Sequence, residues 1–159
     1  MAKPSGDPFQ DMCTMVGLMT ITWTWAENAL AIAIGTIDGK VPAMRGHSEL
    51  PISLKNRLSY LRNALADVPA LEPIKQDGTA LVKLFIELKE RRHKLVHDST
   101  WQMPDGSFAA FHFIIKGRQH TGEHKPVEMA QVVIFNREIE GLNLAAHTFL
   151  QNVDRIFNP

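Results

Sequence analysis

The chain has one cysteine, Cys13, among 159 residues. One thiol cannot form an intrachain disulfide or furnish a cysteine-rich zinc site, and it points to a reducing cytoplasm. Lying in an apolar stretch, Cys13 is expected as a buried core thiol. Charge of one sign is also missing, because 17 Lys+Arg balance 17 Asp+Glu. That balance excludes a strongly basic nucleic-acid coat protein, an acidic tail and a polybasic membrane binder, while leaving room for a local patch. No uninterrupted hydrophobic run of membrane-spanning length exists. The stretch from Met12 to Ile37 is broken by Glu27 and Asn28 and carries Trp23 and Trp25 near its middle. It reads as a buried helix and not as a membrane span, so no membrane is expected as a partner. The first residues, Met-Ala-Lys-Pro-Ser-Gly-Asp-Pro, lack the order of a secretory leader. A glycine-rich phosphate loop, a dinucleotide fingerprint and a Gly-x-Ser-x-Gly elbow are absent, and Cys13 has no identifiable base partner. No cofactor is expected.

What is present suits a globular fold: 45% hydrophobic and 21% charged residues, with enough chain for one domain that hides roughly 70% of its unfolded surface. Asp7-Pro8 is a helix start, an N-cap carboxylate followed by proline at the first helical position. Phe9, Met12, Val16, Met19, Trp23, Ala26, Leu30, Ala33 and Ile37 then recur every three or four residues up to Asp38-Gly39. Ile21, Trp25, Ile32 and Ile34 lie on other faces, so this helix is expected to be central or shared with a second subunit. Residues 40–52 read as a loop. A second helix opens at Ser53 and closes at Pro69 and Pro73, and a third runs from about Asp77 to His97. Three strands follow, Ser99 to Met103, Phe108 to Lys116 and about Glu128 to Phe135, with a tight turn at Pro104-Asp105-Gly106 and a loop from Gly117 to Pro126. The last helix starts near Asn136. The expected fold is mainly α within an α+β class: one domain over residues 1–159, with four helices and a small antiparallel meander (99–135) inserted before the last.

The segment Glu87-Leu-Lys-Glu-Arg-Arg-His-Lys-Leu-Val-His97 carries the chemistry. With Leu81 at zero on a helical wheel, Phe85, Leu88 and Leu95 fall at about 40°, 340° and 320°. Arg92 falls at about 20°, in the middle of that apolar stripe, while His93 and His97 share a flank and Arg91 lies on the other edge. A guanidinium keeps its proton, so burying it demands an acceptor partner. Five basic side chains against two acidic ones lie between Lys83 and Lys94. The segment is therefore a candidate anion or phosphate site built from Arg92 and His97, with Arg91 and His93 in support. The plainer reading is a solvated helix end whose basic residues suit the helix dipole.

Arg92-His93-Lys94-Leu95-Val96-His97 resembles the Arg-x4-6-His signature of the HEPN superfamily, in which the motif also sits late on a helix. The resemblance implies a four-helix HEPN-like bundle, usually a homodimer, with two motifs facing each other across a cleft. Many members are metal-independent endoribonucleases of toxins and defence systems. RNA, and an antitoxin or other protein partner, are the partners this implies. Other members are inactive and serve as interaction or assembly modules. As a nuclease, the chain would use Arg92 and His97 as the catalytic pair. The bidentate fork of Arg92 suits a phosphate, and His97 suits proton transfer because imidazole titrates near neutrality. Glu27, the only carboxylate between Asp11 and Asp38, is the candidate that would hold Arg92, and His93 would orient substrate. In the non-catalytic alternative, Arg92 anchors a buried ion pair and the apolar first helix makes an interface.

Two further readings compete. His93 and His97, like His120 and His124, are spaced to share one metal ion, with His112 and Glu123 as possible additions, but no His-Glu-x-x-His motif supports a physiological metal. Lys116, Arg118, His120, His124 and Lys125 make the hairpin loop basic, which suits a solvated turn or a grip on a nucleic-acid backbone. Trp101, Phe108, Phe111 and Phe113 are expected as sheet core and not as a base-stacking platform.

Overall fold

The computed structural model describes residues 6–41, 50–116 and 119–159, and for residues 97, 99, 112–116, 119 and 120 the backbone alone. It is mainly helical with one three-stranded antiparallel sheet. Helix α1 spans Pro8–Lys40, α2 Leu54–Asp67, α3 Lys75–His97 and α4 Met129–Phe157. The strands are β1 Ser99–Gln102, β2 Phe108–Lys116 and β3 Gln119–Val127. The Asp7 carboxylate caps α1 by accepting the amides of Phe9 at 2.9 Å and Gln10 at 3.5 Å. Ser53 caps α2 through Asn56 N–H at 3.3 Å. α2 ends at Asp67, just ahead of Pro69 as expected, and both prolines lie in a 3-10 helix, Pro69–Ile74, that runs directly into α3.

Two sequence expectations fail together after β2. The polar segment 119–127, expected as mostly loop, is β3, and 129–135, expected as a strand, is the first turns of α4. β2 is central and β3 is an edge. An edge strand with few covered side chains needs no apolar alternation and tolerates Pro126, so its sequence hides it. The β-branched run Val132-Val133-Ile134 suggests a strand, but Val132, Phe135, Ile139 and Leu142 are buried at helical spacing, and packing overrides local preference.

The chain divides into two compact units. The first comprises Met1–Ile21 and Glu87–Ile139. It buries Met12, Met19, Leu88, Phe108, Val132, Phe135 and Ile139, and Met15, Val16, Leu95, Val127 and Met129 pack partly against the cluster of Met12, Phe108 and Val132. Asn136 is the buried polar residue here, and its amide N–H donates to Met15 O at 3.0 Å. The β1–β2 turn is tied by Asp105, which accepts both the hydroxyl and the amide of Ser107 at 2.6 Å and 3.0 Å. Gly106 takes φ +83°, a left-handed conformation that suits glycine.

The second unit comprises Thr22–Ile86 and Glu140–Pro159. Its core is broad, with Trp23, Leu30 and Ile37 from α1, Leu61 from α2, Leu71 from the 3-10 helix, Phe85 from α3 and Phe149 from α4 all buried. Trp23 meets the Phe85 ring edge-on, 5.5 Å between centroids. Packing is close at Gly78, where a Cβ would come within 2.7 Å of Leu65 and 2.8 Å of Phe149. Cys13, expected inside, is exposed. It is one residue past buried Met12, which turns it about 100° away from the covered face.

Candidate nucleic-acid interface at the end of α3 and on the sheet

The last turns of α3 lie in the first unit, and the structure separates their basic residues into distinct settings. Arg91, at the edge of the apolar stripe, is half exposed and pairs with Glu138 of α4. Its guanidinium carbon also sits 4.3 Å from the centre of the Phe135 ring. Three residues separate Phe135 from Glu138, so one face of α4 presents both the aromatic and the carboxylate to the same arginine. The sequence pattern does not reveal Glu138 as a partner, because it puts the start of α4 about two turns too late.

Arg92 is half-buried and its Nε lies in the interior. This is the position its place on the apolar stripe implies. His93 and Lys94, one and two residues on, are exposed. His97 ends the helix, and its side chain lies outside the described residues. Glu27 lies in the second unit and accepts the Trp23 indole N–H at 2.7 Å. Arg91, Arg92 and His93 therefore share one turn of α3, while the Glu27 carboxylate serves a tryptophan on its own helix.

The sheet that follows corrects the expectation for its aromatics. Residues paired across β1, β2 and β3 share a face, and successive residues alternate faces. Gln102, Phe108 and Val127 are one such row, and Phe108 is buried in the core. Phe111, three positions on from Phe108, must point the other way. It is directly opposite His124, and the two rings lie 4.8 Å apart. Trp101 shares that outward face and is 60% exposed, so it is not core. Trp101, Phe111 and His124 thus place one ring from each strand on a single face. Gly122 completes it: a Cβ there would collide with the Phe111 ring, which covers the glycine. Period-2 parity carries this signal in the sequence, but only once the strands are paired correctly.

Lys125 lies on the opposite face in a 3.2 Å ion pair with Glu123. Arg118 lies outside the described residues, as do the side chains of His112, Phe113, Lys116 and His120. Among the described residues no group of three or more His, Cys, Asp or Glu could hold a metal ion. No described helix is long and apolar enough to cross a membrane. Comparisons with known protein families, curated proteins and solved structures find no match for this chain.

Proposed function

We propose that this chain is a HEPN-like RNA-binding protein and a metal-independent endoribonuclease of a toxin or defence system. The observation that carries the binding half is the outward sheet face of Trp101, Phe111 and His124, in the same unit as the basic end of α3. Exposed aromatic faces stack unpaired bases at about 1–3 kcal/mol per base, and adjacent cations hold the phosphates. No described side chain on that face is a carboxylate, so no described group there repels a polyanion.

The chemistry belongs to Arg92 and His97. In RNA cleavage the 2′-oxygen forms a bond to the adjacent phosphorus as the bond from phosphorus to the 5′-oxygen breaks. A neutral imidazole takes the 2′-hydroxyl proton, and an imidazolium returns one to the 5′-oxygen. The products are a 2′,3′-cyclic phosphate and a 5′-hydroxyl. Two His97 side chains from two copies would divide the two proton transfers, and Arg92 would offset charge on the phosphorane oxygens. Incubation of the protein with a mixed RNA ladder in EDTA tests this. Cleavage is expected from the wild type and lost in both His97→Ala and Arg92→Ala. Trp101→Ala should weaken RNA binding on the order of tenfold without changing thermal stability.

A second reading is favoured by the interior position of the Arg92 Nε. In it the chain is a non-catalytic interaction module and Arg92 a structural charge. Intact RNA in EDTA, with marked thermal destabilisation by Arg92→Ala, would select it.

A further inference from the structure

Gly122 stands inside β3, where glycine is less favourable than alanine. Its backbone does not ask for glycine, since among the described residues positive φ occurs only at Gly6 and Gly106. A glycine within a strand marks a bulge, a sharp bend or a close approach. The β2–β3 ladder pairs residues one to one from Phe108↔Val127 to Lys116↔Gln119, so there is no bulge. A close approach is what the structure shows. A Cβ at Gly122 would collide with Cζ and Cε2 of Phe111, the far end of that ring. Gly122 is two residues from His124, which is directly opposite Phe111, so all three share the outward face. The Phe111 side chain therefore crosses diagonally from β2 to β3, and its tip lies near the height of a β-carbon. The ring lies down along the sheet instead of standing out from it.

We infer that Gly122 is the positioning residue of the base-stacking site: its missing side chain lets the Phe111 ring lie across β3, and an unpaired base of single-stranded RNA stacks over that ring beside His124. The inference rests on the RNA-binding reading above and names the residue that shapes its site. A ring standing upright would offer a base little more than its edge, whereas one laid along the sheet extends a platform. The next pair on the same face, Ala109 and Pro126, carries no long side chain, which leaves room for a planar base. A duplex keeps its base faces inside its own stack, so the ligand is a single strand. The competing account is that the ring only covers the glycine and stabilises the strand. Gly122→Ala separates the two. The collision is with the end of a side chain that can swing to another rotamer, so the backbone need not move.

Fluorescence anisotropy with a labelled single-stranded oligouridylate of about twelve nucleotides tests the inference, beside an oligomer of the same length that lacks its bases. Gly122→Ala should keep the wild-type melting curve and weaken oligouridylate binding on the order of tenfold, as Phe111→Ala should. The double variant should also lose about tenfold, not the roughly hundredfold of independent sites, because both changes remove one platform. The oligomer without bases should bind wild type and Gly122→Ala alike. Wild-type affinity in Gly122→Ala, a lowered melting temperature, additive losses, or an equal loss on the oligomer without bases each overturns the positioning role. The RNA reading survives all four. A wild type that binds neither oligomer removes that reading, and this inference with it.

Discussion

The two units are held together by different means. The second has a broad core of large apolar side chains, among them Trp23, Phe85, Leu61, Leu71 and Phe149, with close packing at Gly78. The first buries fewer large apolar side chains, among them Met12, Met19, Leu88, Phe108, Phe135 and Ile139, and adds polar and charged cross-links: Asn136 to Met15, Arg91 to Glu138, and the Arg91 guanidinium over Phe135. A directional bond in partly wet surroundings contributes about 1 kcal/mol, whereas a buried aromatic contributes several. The unit that carries Arg92, His93 and the open aromatic face is thus the one with less apolar burial. Binding surfaces need exposed polar and aromatic groups, and those are the groups that cannot also build a dry core.

The largest expected effect lies in the second unit. Phe85→Ala should cost about 4 kcal/mol, and Val132→Ala in the first unit only about 2 kcal/mol, by urea denaturation. Native-state hydrogen exchange should also show the first unit's amides opening at lower free energy than the second's. Equal protection in both units would break the comparison.

Tyr60 gives an intermediate effect and a pH signature. In the second unit its hydroxyl donates to Asp38 Oδ1 at 3.0 Å. Burial first, and then the bond to the Asp38 carboxylate, push the phenol's pKa well above its usual value. The native state therefore holds this proton more tightly than the unfolded chain. Its contribution is full below the phenol's ordinary pKa of about 10 and is lost progressively as pH rises above it. Tyr60→Phe should cost about 1–2 kcal/mol at neutral pH and reduce the further loss of stability in strongly alkaline urea titrations. An unchanged alkaline slope would mean that the phenol proton is not held by the fold.

Arg91→Ala should have the smallest effect, about 1 kcal/mol, because the pair with Glu138 is half exposed and the ring contact adds a similar small amount. Half or more of that loss should disappear in molar salt if the ion pair dominates. A salt-independent loss would assign it to the Phe135 contact instead.

The helices with a sharp apolar period are legible in the amino-acid sequence. The Asp7 and Ser53 caps stand where their side-chain chemistry places them, and the buried positions of α1 follow the series from Met12 to Ile37. Arg92 also lies where its angle on the α3 stripe puts it, partly inside. The illegible part is the boundary between sheet and α4. An edge strand such as Gln119–Val127 is stabilised by backbone hydrogen bonds to β2, which any sequence can make, so its residues carry little signal. Without β3 in register, neither the partnership of Phe111 with His124 nor the outward position of Trp101 can be read.

By itself, then, the sequence determined the helical framework, the neutral overall charge and the basic end of α3, because periodicity, caps and composition act locally along the chain. The tertiary structure decided which side chains meet and which stay open. Glu138 reaches Arg91, Glu27 serves Trp23, Cys13 turns outward, and α1 leaves a second apolar face uncovered. Those outcomes depend on how distant segments pack, and a linear pattern does not contain the distances across which they pair. The single cysteine still excludes a disulfide framework, and only the packing of Met12 beside it could show that the thiol faces out.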